Sequence, residues 1–89
     1  MTETKVNRFV RGYSTSGDNL IEEYPIDLSQ KGISVLVGIF NAFEDKNLYE
    51  CYPLMYSEEW AVLVTYGGLP NLLFDRVHLD YFLEADATN

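Results

Sequence analysis

Eighty-nine residues, 47% of them hydrophobic and 15% aromatic, suffice for one core and exclude both a disordered chain and a second domain. A formal charge of −8 repels phosphate backbones and anionic headgroups, which argues against nucleic-acid and membrane-surface binding and in favour of a cationic partner. The excess is lopsided: residues 1–43 carry five acids against four bases, whereas residues 44–89 carry nine acids against Lys46 and Arg76.

Met1–Thr4 is polar and expected to fray. Lys5–Thr15 is rich in β-branched and aromatic residues, Ser16-Gly17-Asp18-Asn19 is a dense turn signal, and Leu20–Ile26 reads as the return strand of a hairpin. A turn closing on Thr15 and Leu20 sets Tyr13 opposite Glu22, Arg11 opposite Tyr24 and Phe9 opposite Ile26, with Phe9 and Ile26 under a helix. Pro25 marks an edge or a strand end.

Leu28–Phe43 carries the clearest period of the chain. Ile33, Leu36, Val37, Phe40 and Phe43 fall on one side of a helix, with Ser29 as N-cap. Interior Gly32 and Gly38 each cost about 1 kcal/mol of helix propensity relative to alanine. Glu44-Asp45-Lys46-Asn47 is an exposed turn, and Leu48–Leu54 alternates as a short strand ending near Pro53.

Ser57–Tyr66 is ambiguous. As a helix it has Ser57 as N-cap, Glu58 and Glu59 in the first turn, an apolar face of Trp60, Leu63 and Val64, and Gly67 as a stop. As a strand it alternates and is rich in β-branched residues. Signals at both ends favour the helix. After a Gly67–Asn71 loop, Leu72–Phe74 reads as a short strand, Val77–Glu84 alternates as a longer one, and residues 86–89 are expected to fray. The fold class is therefore α+β: an N-terminal β-hairpin, a helix, a short strand, a second helix or strand, and a C-terminal strand. These build an antiparallel or mixed sheet covered on one face by helices, as a single domain over residues 1–89.

No constellation points to catalysis. Cys51 and His78 are the only thiol and imidazole, without a local signature or a third orienting group, and Cys51 reads as a buried inert thiol. One histidine among scattered acids falls short of a metal site, and Gly67-Gly68 lacks the pattern and lysine of a phosphate loop. Adjacent acids such as Glu58-Glu59 do not converge as an acid–base pair, so no catalytic residue, cofactor or metal is expected. The lone cysteine, the lack of an apolar signal region and the lack of an apolar run of roughly 20 residues make the cytoplasm the default location.

The most informative stretch is Tyr49–Glu59, where tyrosines interleave with carboxylates and Met55. Tyrosines supply rigid contact area at binding hot spots, and carboxylates around them steer a basic partner. The competing reading is that Tyr52 and Leu54 are core and the acids solvate a turn. On the binding reading the partner-binding residues are Glu50, Tyr52, Tyr56, Glu58, Glu59, Asp75 and Asp80.

The EEYPIDLS, LYECYPL and DYFLEAD segments resemble a group of small bacterial proteins of this length. With the size, acidity and aromatic content, the chain is similar to immunity proteins of bacterial toxin–immunity pairs, including contact-dependent growth inhibition systems. That resemblance implies an immunity or antitoxin protein that neutralises a basic toxin domain, a nuclease by preference, by masking its active or substrate-binding surface. The alternative on the same physics is a phage-encoded anti-CRISPR or DNA-mimic inhibitor, and a third reading is a small ligand-binding domain or enzyme with a concave apolar pocket.

Overall fold

The described residues of the computed structural model are 5–71, 75 and 77–88. Two ten-residue strands, β1 (Lys5–Ser14) and β4 (Leu79–Thr88), pair antiparallel along their whole lengths. β2 (Leu20–Ile26) lies outside β1 and the two-residue β3 (Tyr52–Pro53) outside β4, giving an antiparallel sheet of order β2-β1-β4-β3. α1 (Gln30–Phe40) and α2 (Ser57–Gly67) pack against each other over one face. This is the α+β architecture that the periodicities predict.

Alternation along β1 divides the sheet. Val10 and Gly12 point toward the helices, beside Tyr24 of β2 and Leu83 and Tyr81 of β4. Val10, Leu36, Leu63 and Leu83 are wholly buried and form the centre of the core. Phe9, Arg11 and Tyr13 therefore occupy the opposite, uncovered face with Phe82, Glu84 and Asp86.

The hairpin register differs from expectation. Ile26 pairs with Arg8, Tyr24 with Val10 and Glu22 with Gly12, so Phe9 lies on the open face and Val10 takes its place in the core. The cause is in the turn. Asp18 adopts a left-handed conformation (φ 56°), and the turn closes on Ser14 and Asn19, whose N–H···O bond is 2.8 Å. An irregularity between Gly12 and Tyr13 restores one residue of offset, leaving a net one-residue slip that exchanges the faces.

α1 begins as expected: the Ser29 hydroxyl accepts the Gly32 N–H at 3.2 Å. It ends earlier, at Phe40, because Asn41 turns left-handed (φ 60°) and its N–H caps the Gly38 carbonyl. Phe43 thus leaves the helical face and is 60% exposed. Gly32 has a packing reason: a Cβ there would lie 2.7 Å from Tyr66 Cβ and 2.8 Å from Leu28 Cδ1, where α2 and the α1 entry approach.

Residues 57–66 are helical. The cap is Tyr56 rather than Ser57, and the helix runs through Gly67 to a left-handed Gly68. Of the expected strand 48–54 only Tyr52–Pro53 pairs. β4 does not fray at residue 86: Asp86, Ala87 and Thr88 pair with Asn7, Val6 and Lys5. The expected strand Leu72–Phe74 and the expected fraying of residues 1–4 lie outside the described residues. Among the described residues, no helix is long and apolar enough to cross a membrane.

Candidate functional site

The segment between α1 and β3 is fixed at several points. Asp45 is its hub: one carboxylate oxygen accepts the Tyr49 N–H at 3.0 Å, and the other accepts the Glu50 N–H at 2.9 Å and the Tyr52 hydroxyl at 2.6 Å. Burial pushes the Asp45 carboxyl up, but the bonds from Tyr52, Glu50 and Tyr49 and the nearby Arg8 charge outweigh it and hold the group below the usual carboxylate range. Burial, with the Asp45 bond behind it, pushes the Tyr52 phenol up to about 12. Leu48, wholly buried, adopts φ 53°, an unusual conformation for a branched side chain that the bonds around Asp45 hold in place. The Arg8 guanidinium donates to the Asn47 carbonyl and lies 5.9 Å from the Tyr49 ring centre.

Held this way, the segment presents Phe43, Glu44 and Glu50 around a groove of about 640 Å³ beyond the last turn of α1. Phe40 and Tyr52, stacked at 4.7 Å and 15°, also line it. A second cleft, of about 270 Å³, lies past the other end of β3, where Pro53, Leu54 and Met55 meet Asp80 and Phe82.

The sequence-predicted binding residues separate into two groups. Glu59 is 4% exposed, and its Oε1 accepts the Met55 and Tyr56 N–H groups at 2.7 and 2.9 Å, which caps α2 instead of facing solvent. Tyr52 is half-buried against Phe40. Asp75 holds a turn, accepting the His78 N–H at 3.0 Å and pairing with the His78 ring, also at 3.0 Å; these contacts hold its carboxyl below its usual range. Glu50, Tyr56, Glu58 and Asp80 are exposed. Glu50 borders the α1 groove, Asp80 borders the second cleft, and Tyr56 and Glu58 open α2 three residues or fewer after Met55. Of the nine acids beyond Phe43, Asp45, Glu59, Asp75, Glu84 and Asp86 are engaged internally. The carboxylates of Glu44, Glu50, Glu58 and Asp80 make no hydrogen bond or ion pair among the described residues.

Two features escaped the sequence reading. Helical spacing puts Phe43 on the buried stripe, and only the Asn41 left-handed stop, legible as an asparagine after the apolar run, sends it outward. The open face of the sheet centres on Arg11. Its guanidinium binds Asp86 through two bonds (3.0 and 2.6 Å), Glu84 at 2.9 Å and Glu23 at 2.8 Å, and lies 4.2 Å from the Phe9 ring centre. The Asp86 bond, opposed by burial and helped by Glu84 and Glu23, pushes the Arg11 pKa up. Tyr13 donates to Glu84 at 2.8 Å, and burial with that bond raises its phenol to about 12. This is an internally satisfied network, and the hairpin slip is what assembles it on the open face.

Cys51 and His78 do not form a pair. Cys51 is exposed, not buried as its apolar neighbours suggested, because it precedes β3 on the open edge. Its thiol contacts Glu84 at 3.7 Å and, by burial and that charge, is pushed up, away from the reactive thiolate. His78 pairs with Asp75 rather than with Cys51. Among the described residues, no three histidine, cysteine or acidic side chains gather as metal ligands.

The fold and the grooves beside β3 define a small two-layer α+β domain with an acidic, aromatic rim. The chain belongs to the DUF7683 family, a domain of unknown function, whose model matches residues 7–84. Neither the curated proteins nor the solved structures compared with it gave a match.

Proposed function

We propose that this protein is a binding protein that captures a basic protein partner, and that the partner is a toxin domain, a nuclease by preference, which it neutralises as an immunity protein by covering a cationic substrate surface. The observation that carries the reading is the rim beside β3. There the carboxylates of Glu44, Glu50, Glu58 and Asp80, free of internal hydrogen bonds and ion pairs among the described residues, accompany exposed Phe43, Tyr49, Met55 and Tyr56. Aromatic and methionine contact area with uncommitted carboxylates is the composition of a surface that recognises cations and desolvates on docking. Nuclease surfaces are positive because they hold phosphates, so an inhibitor that masks one is negative.

The test is co-expression with the product of the adjacent gene. That product arrests growth alone, the present chain restores growth, and the E50K/E58K/D80K variant, folded by circular dichroism, loses both rescue and co-purification. A neighbour that is harmless alone, or a charge-reversed variant that rescues as well as the native chain, overturns the proposal.

A further inference from the structure

Among the clefts, the groove beyond α1 differs in electrostatics. The cleft at the β1–β2 end is lined by both Arg8 and Asp27, and the Met55 cleft by the single carboxylate of Asp80. The α1 groove has Glu44, Asp45 and Glu50 in its lining and no basic residue. Arg8 faces Asp45, whose oxygens are already taken by two backbone N–H groups and the Tyr52 hydroxyl, so Glu44 and Glu50 carry the unanswered charge. The last turn of α1 also lacks a basic residue, so the negative end of the helix dipole adds its sign to theirs. Phe43, 60% exposed, gives this anionic depression an aromatic wall.

From this geometry we infer that the groove is the seat for one arginine side chain of the protein partner, its guanidinium stacked on Phe43 and bonded to Glu50 and Glu44. Arginine fits better than lysine. A planar guanidinium stacks on a ring while its fork of donors meets carboxylates in plane, whereas an ammonium is a compact, strongly hydrated charge. The anchoring of residues 41–50 through Asp45 and Leu48 means that little ordering entropy is lost when the side chain arrives. This inference rests on the cationic-partner reading above but not on the partner's being a toxin.

The probe is the peptide acetyl-Gly-Arg-Gly-amide, titrated into the ¹⁵N-labelled full chain, with the citrulline and lysine peptides as isosteric and isocharged comparisons. The expected result is saturable shifts confined to the amides around Phe43, Glu44 and Glu50, weaker shifts with lysine, and none with citrulline. E44Q/E50Q, which removes two exposed carboxylates, weakens binding by roughly two- to thirty-fold, whereas D27N, in the cleft at the β1–β2 end, leaves it unchanged. F43A weakens it without lowering the melting temperature, because the ring is exposed. Citrulline binding as well as arginine, lysine binding as tightly, or shifts centred on Met55 and Asp80 overturn the inference. Arginine binding at the groove together with failed growth rescue retains the seat and discards the toxin.

Discussion

Gly12→Ala tests the register on which both faces of the sheet depend. Gly12 pairs with Tyr81 across β1 and β4, and a Cβ at position 12 would lie 2.7 Å from Tyr81 Cε1 and 3.0 Å from Cδ1. The ring has little room to retreat. It is 3% exposed, edge-on to Trp60 at 5.2 Å, and its hydroxyl donates to Glu22 at 2.6 Å while accepting the Asp75 N–H at 3.2 Å. Overpacking of this kind costs about 1–3 kcal/mol. Displacing the phenol from a charged acceptor adds roughly 1.5–3 kcal/mol, and alanine recovers about 0.5–1 kcal/mol of backbone entropy. The net expectation is a loss of about 1.5–5.5 kcal/mol, against a total of roughly 4–13 kcal/mol for a chain of this length. Gly38→Ala is the control, since nothing lies within 4 Å of a Cβ there and the residue is exposed within α1, so it stabilises by about 0.5–1 kcal/mol. Urea titration followed by circular dichroism reads both. A Gly12→Ala midpoint within about 0.5 kcal/mol of the native protein would refute the pairing of Gly12 with Tyr81 and, with it, the assignment of Arg11 and Phe9 to the open face.

Two further outcomes follow from the carboxylates. The folded-state pKa of Asp45 is below its unfolded value of about 3.9, so its contribution to stability is complete above that pH and is lost as pH falls through the folded value. Urea midpoints of Asp45→Asn measured from pH 7 down to pH 2.5 should therefore lie below the native ones at neutral pH and converge with them in acid; a constant gap would refute the assignment. Glu59→Ala removes the acceptor for the Met55 and Tyr56 N–H groups and should cost about 1–2 kcal/mol by the same titration, whereas Glu50→Gln should change stability by less than about 0.5 kcal/mol. Equal effects of the two substitutions would contradict the placement of Glu59 under the cap and Glu50 at the rim.

Local signals read the elements well where both ends of an element carry one. Ser29 before α1 and the Glu58-Glu59 first turn followed by Gly67-Gly68 for α2 are caps whose chemistry acts within four residues, so they are visible in the chain. The hairpin register was not legible, because it depends on a left-handed Asp18 and an irregularity at Tyr13, and a one-residue slip leaves the hydrophobic alternation of either strand unchanged. The same limit hid the Arg11 network: Glu84 and Asp86 are more than 70 residues away in sequence and become neighbours only through the β1–β4 pairing. Glu59 and Glu58 are adjacent and chemically alike, yet one is buried and the other solvated. Only the third helical position lets a glutamate reach back to the cap backbone.

The division among the acids also constrains how binding can depend on salt. Charge beyond Phe43 that is committed to Arg11, to the Asp45 hub, to the α2 cap or to the Asp75 turn is spent on the fold and contributes chiefly to the distant field. Such a field would accelerate encounter with the proposed basic partner and is screened beyond about 8 Å at physiological ionic strength. On the proposed reading, contact at the rim would draw on Glu44, Glu50, Glu58 and Asp80, and their neutralisation would govern how long a complex lasts. Salt should accordingly slow association of the native chain and of a Glu44→Gln/Glu50→Gln variant by similar factors, while that variant dissociates faster at every salt concentration. If the proposed partner binds, long-range attraction and groove contact are separable because the fold has already divided the carboxylates between them.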